Sequence, residues 1–112
     1  MTRHQYADLS ISVTQGDPVV LAVTGELDIA SAPQLRRSLL DTLARADGIP
    51  VTVDASGLTF VDSSGLAVLL MGARRFAALD KTLLLRPSAS LTRVIELTGV
   101  RGAFEYDVRD SA

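Results

Sequence analysis

Three short β-type runs, Val19–Val23, Val51–Val53 and Thr82–Leu85, are separated by two segments whose apolar residues recur with a helical period. This alternation constrains the fold more than any other feature of the chain. Val19-Val20-Leu21-Ala22-Val23 is continuous and β-branched, the pattern of a strand buried on both faces. A helix between two such strands returns the chain to the same end of a sheet, so the inner strands pair in parallel through right-handed crossovers. Leu9, Ile11 and Val13 alternate with Ser10, Ser12 and Thr14, a half-buried strand. The turn Gln15-Gly16-Asp17-Pro18 joins it to Val19–Val23 as an antiparallel neighbour. The expected architecture is α/β: a mixed sheet of about five strands, the first antiparallel and the rest mostly parallel, with three or more helices in the order β-β-α-β-α-β-α-β.

The helices carry their own boundary signals. Ser31 and Gln34 have the spacing of a capping box, Pro33 is tolerated in a first turn, and Gly48 supplies a left-handed stop. Between them Leu35, Leu39, Leu40 and Leu43 form one apolar stripe. Ser88 or Ser90 caps a last helix with Leu91, Val94, Ile95 and Leu97 as its apolar positions, ended by Gly99. Phe104, Tyr106 and Val108 alternate with charged residues as a short edge strand. The lead-in 1–7 and the tail 109–112 are expected to fray.

The middle of the chain is the most informative part. After Val51–Val53, the stretch Asp54-Ala55-Ser56-Gly57-Leu58-Thr59-Phe60-Val61-Asp62-Ser63-Ser64-Gly65-Leu66 reads as a loop entering a helix. Asp62 and the serines are strong N-caps, and Gly65 leaves room for a close approach to the backbone. Two hydroxyls, Ser63 and Ser64, therefore stand at the positive end of a helix, where a phosphate meets free donors. The helix that follows, Leu66 to Ala73, is apolar almost all round. Leu66, Leu69 and Leu70 suffice for a core stripe, which leaves Val68, Met71 and Gly72 as candidates to lie under a partner.

Composition removes several classes of function. A chain of 112 residues is one domain, with an ordered core expected over about 8–108, and 47% hydrophobic residues suit a globule. A net charge of −2 leaves no basic footprint for nucleic acid or an anionic membrane. No apolar h-region or long uncharged run is present, so a cytoplasmic protein is expected. Cysteine is absent and the only histidine is His4, far from any nucleophile, so an enzyme is not expected, nor a cofactor. Asp28, Asp54 and Asp62 could gather on one rim and hold magnesium, as in a phosphoacceptor receiver domain. Against that, no adjacent acidic pair follows the first strand, and Lys81, the only lysine, opens a helix-to-strand turn.

Phe60-Val61-Asp62-Ser63-Ser64-Gly65-Leu66, together with Gly25-Glu26-Leu27-Asp28, resembles the anti-sigma factor antagonists, single-domain members of the STAS family. The resemblance covers nearly the whole chain and implies a STAS domain. It also implies Ser63 as a phosphorylated serine, Asp28 and Asp62 as flanking acids, and Ser64 and Gly65 as the residues shaping the helix entry. Such a protein binds, when unphosphorylated, an anti-sigma factor that is also a serine kinase, and thereby releases a sigma factor. Phosphorylation ends the complex and a PP2C-type phosphatase reverses it. With the residues above, the expected partner surface is Asp28, Asp62, Ser63, Ser64, Gly65, Val68, Met71 and Gly72, with no nucleic-acid, membrane or metal site. Where the family carries a second glycine after Gly-Leu, this chain has Ala67. The alternatives are an interaction module of another assembly, such as a stressosome-like scaffold or a lipid-transport subunit, and the magnesium-dependent phosphoacceptor.

Overall fold

The computed structural model describes residues 8–107. Strands β1 (Leu9–Thr14), β2 (Val19–Leu27), β3 (Val51–Val61), β4 (Leu83–Pro87) and β5 (Glu105–Tyr106) form one sheet in the order β1-β2-β3-β4-β5. β1 is antiparallel to β2, and the remaining pairs are parallel. Helices α1 (Ala32–Arg45), α2 (Ser63–Ala78) and α3 (Ala89–Thr98) connect the parallel strands, and a short 3-10 turn, Arg101–Ala103, precedes β5. This is the α/β architecture that the alternation of β-type and helical segments predicts.

Register explains the core. Leu21 pairs with Val53 and Val53 with Leu85, so three side chains from three strands form a row, each fully buried. Val19, Val51 and Leu83 repeat the row one pleat away. Leu35 and Leu39 of α1 and Leu66, Leu69 and Phe76 of α2 complete the core. Each fully buried large apolar side chain contributes about 1.5–3 kcal/mol. α1 and α2 pack against each other, whereas α3 packs on β3 and β4. In α3, Leu91 and Ile95 are buried and Val94 is half-buried, but Leu97 is 79% exposed, outside the stripe expected for it.

Three local expectations are corrected. The segment after Val53 is strand, not loop: β3 continues to Val61. Its pairing with β2 shifts register between Ala22 and Thr24 and again between Gly25 and Glu26. Each shift places an extra residue on β3, a bulge, which is how weak strand formers such as Asp54, Ser56 and Gly57 stay in a sheet. The capping box of α1 does not form. Ser31 is the N-cap but makes no capping bond, and Gln34 Nε2 donates instead to the Leu9 carbonyl at 3.3 Å. α2 and α3 are capped as expected, by Asp62 and by Ser88 rather than Ser90. Among the described residues the last strand spans Glu105–Tyr106, with Phe104 before it at the end of the 3-10 turn; Val108, His4, the lead-in and the tail lie outside the described residues.

Candidate functional site

The carboxyl ends of β2 and β3 lie side by side, because Leu27 pairs with Val61 and the Asp62 amide donates to the Leu27 carbonyl at 3.1 Å. The residues that follow each strand, Asp28 and Asp62, therefore flank one rim. Ser63, the first residue of α2, projects from that rim and is exposed, while Ser64 is half-buried.

The helix entry is tightly built. One Asp62 carboxylate oxygen accepts from the Gly65 amide at 3.0 Å, and the Asp62 carbonyl accepts from the Leu66 amide at 3.0 Å. The amides of Ser63 and Ser64, first in the helix, have no carbonyl a turn behind them. Gly65 is buried, and a Cβ built on it would run into the side chain of Leu27. The group that approaches its backbone is thus the end of β2, and that contact fixes the entry of α2 against the strand that leads into Asp28.

Asp28 faces inward on its own loop. Its Oδ1 accepts from the amides of Ala30 and Ser31, each at 3.0 Å, and lies 3.1 Å from the Ser31 hydroxyl. Ser31 is buried; its Oγ accepts from the Asp28 amide at 3.0 Å and can donate to the Glu26 carbonyl, also at 3.0 Å. The backbone of residues 28–32 is thereby held as a tight turn, and Ile29 stands at its tip with 75% of its surface exposed. Phe60, next to the end of β3, is 49% exposed. These two apolar side chains near the carboxyl ends of β2 and β3 were not among the expected site residues. Phe60 was legible as a large apolar residue beside the Asp-Ser-Ser entry; Ile29 carried no local signal.

Farther along α2 the expected surface divides. Val68 is half-buried and packs against the core, and Met71 is half-buried. Gly72 is not on the surface: it is buried where α1 meets α2, and a Cβ there would lie 3.1 Å from Leu39 Cδ1. Its lack of a side chain serves helix packing, which removes it from any partner face. Ala67, where the family glycine would be, is exposed.

Asp54 does not join the rim. It lies in mid-strand, seven residues before Val61, on the order of 20 Å at ~3.3 Å per residue. Arg86 Nη1 on β4 donates to its Oδ2 at 3.1 Å, and the other terminal nitrogen reaches Asp107 at 2.6 Å. Burial pushes the Asp54 carboxyl up, but hydrogen bonds from Ser56 and the Arg86 charge outweigh it and hold the pKa below the usual carboxylate value. Among the described residues no three acidic or imidazole groups gather as a metal site. The arrangement of acids that a magnesium phosphoacceptor needs is therefore not assembled there. No helix among them is long and apolar enough to cross a membrane.

Comparison with known proteins agrees with the geometry. The family model described as "Mlab, STAS domain" matches residues 12–106. The anti-sigma F factor antagonist of Lysinibacillus sphaericus is 29% identical over 85 residues, 75% of this chain and 73% of that protein. The crystal structure of an anti-sigma factor antagonist from Mycobacterium paratuberculosis superposes with a TM-score of 0.76 at 25% identity, covering 91% of this chain and 88% of that one. SpoIIAA in its unphosphorylated form gives 0.68 at 22% identity over 90% and 89% of the two chains, a likeness of fold. The Bacillus SpoIIAA in its phosphorylated form gives 0.65 at 22% identity, over 90% and 92%. With a family match spanning β1 to β5, the chain belongs to the STAS domain family, where its relatives include anti-sigma factor antagonists.

Proposed function

We infer that this protein is an anti-sigma factor antagonist working in the cytoplasm. Its unphosphorylated form binds an anti-sigma factor that is also a serine kinase, and phosphorylation of Ser63 ends the complex until a PP2C-type phosphatase removes the mark. The observation that carries this reading is Ser63 itself, exposed as the first residue of α2 and directly after the Asp62 cap, on the rim shared with Asp28.

The chemistry of a switch fits that position. A phosphoryl group adds about −1.5 to −2 charge and three acceptor oxygens. The start of α2 offers the Ser63 and Ser64 amides and a dipole contribution of about 0.3–1 kcal/mol, so the folded domain tolerates the group. A partner covering the rim does not, because it would have to desolvate a dianion between two carboxylates. The Gly65 amide is already taken by Asp62, which limits how far the helix end can neutralise the added charge.

The test uses the kinase partner with ATP. The protein is expected to gain one acid-stable phosphate on Ser63, seen by mass spectrometry, and Ser63→Ala to block it while still binding. Ser63→Asp is expected to bind tenfold or more weakly in calorimetry, about 1.4 kcal/mol. Phosphate on Ser64 would move the site, and undiminished binding by fully phosphorylated protein would end the mechanism. A second reading is an interaction module of another assembly, such as a stressosome-like scaffold or a lipid-transport subunit, since the matching family model is described by the name Mlab and not as a sigma regulator. Co-purification with subunits unrelated to any sigma regulator would select it.

A further inference from the structure

We propose that Ile29 is the apolar anchor by which the anti-sigma factor grips this protein, and that Ser31 is the buried positioning residue that presents it. This rests on the reading of Ser63 given above and names the contact that makes the switch effective. Ile29 is 75% exposed, yet the turn carrying it is densely hydrogen-bonded. The amides of Asp28, Ala30, Ser31 and Ala32 all have acceptors within residues 28–31, the last giving its hydrogen to the Asp28 carbonyl at 2.8 Å. Solubility gains nothing from a rigid backbone beneath an exposed β-branched apolar side chain. Binding does, because a preorganised anchor loses little conformational freedom on association, and a few such side chains carry most of the affinity of an interface.

Placement ties the anchor to the switch. Leu27 and Val61 are registered neighbours on parallel strands; Ile29 lies two residues beyond one, and Ser63 two residues beyond the other. A partner that covers Ser63 is therefore adjacent to Ile29. The occupant is the anti-sigma factor, offering a pocket lined by aliphatic side chains. Closing that pocket excludes water beside Ser63, and a dianion there opposes closure far more strongly than it would on a wet, polar face.

Calorimetry with the serine kinase that phosphorylates Ser63 tests the proposal on the full chain. Ile29→Asp is expected to weaken Kd tenfold or more and Ile29→Leu to stay within threefold, with both thermal midpoints unchanged. Ser31→Ala is expected to weaken binding in the wild-type background but to add nothing to Ile29→Ala. A merely structural serine would not show that coupling. If Ile29→Asp binds as wild type while phosphorylation of Ser63 still abolishes binding, the anchor is refuted and the switch stands. If no ATP-binding serine kinase of the source genome binds or phosphorylates the wild-type chain, the reading of Ser63 falls and the anchor with it.

Discussion

Two glycines of α2 do the same thing for different reasons, and their substitution separates the reasons. Gly65 sits against Leu27, where an added Cβ would strike the branching carbon of a side chain that is fully buried at the end of β2. Gly72 sits against the Cδ1 tip of Leu39, 3.1 Å from where a Cβ would be. A tip moves more readily than a branch point. Both substitutions to alanine gain up to about 1 kcal/mol of helix propensity, and overpacking costs about 1–3 kcal/mol where the neighbour cannot move. Gly65→Ala is therefore expected to be at least ~1 kcal/mol more destabilising than Gly72→Ala in urea unfolding. Equal effects would show that Leu27 relaxes as easily as Leu39. The glycine before Leu66 was visible in the sequence as room for a close approach, but neither neighbour was, since Leu27 and Leu39 lie 38 and 33 residues away.

Among the elements, β3, β4 and the residue that follows β5 are joined by one arginine, beside the ladders that pair the strands. Arg86 bridges Asp54 and Asp107 across the sheet face, with about a third of its own side chain exposed. Removing it takes away the cation that Asp54 and Asp107 share, and Arg86→Met is expected to destabilise by about 1.5–3 kcal/mol, the range for hydrogen bonds to charged groups. The pH dependence gives the sharper test. The Asp54 carboxyl is held below its ordinary value in the folded state. Its stabilisation is then complete above the unfolded carboxylate pKa, about 3.9, and is lost as pH falls from there through the folded value. Urea midpoints at pH 7, 4 and 3 are expected to fall less steeply on acidification in Arg86→Met than in wild type. Parallel slopes would mean that this ion pair does not set the Asp54 pKa.

For the whole molecule, stability rests on one core cluster in which the row of Leu21, Val53 and Leu85 joins buried side chains of α1, α2 and α3. Leu39 is 1% exposed and joins α1 to both α2 and the core. Leu39→Ala is expected to cost about 2–5 kcal/mol, read from chemical denaturation; a loss under about 0.5 kcal/mol would mean that the site collapses around the missing atoms. What the sequence by itself determined is what repeats locally. The two-residue period of Leu9–Val13, the leucine stripe of α1, the Asp62 cap and the βα alternation each involve residues within a few positions of one another, so they fix element type, the parallel inner strands and the place of Ser63 at a helix start. The tertiary structure decided everything that depends on a distant partner. Pairing with the end of β2 extends β3 through a poor strand sequence and so leaves Asp54 in mid-strand beside Arg86, away from the rim, and Leu39 claims Gly72 for the helix contact. Ser31, buried beneath the turn, draws the Asp28 carboxylate inward and leaves Ile29 as the side chain that faces outward. Such contacts join residues that no local period relates, and they exist only once the sheet has brought its strand ends together.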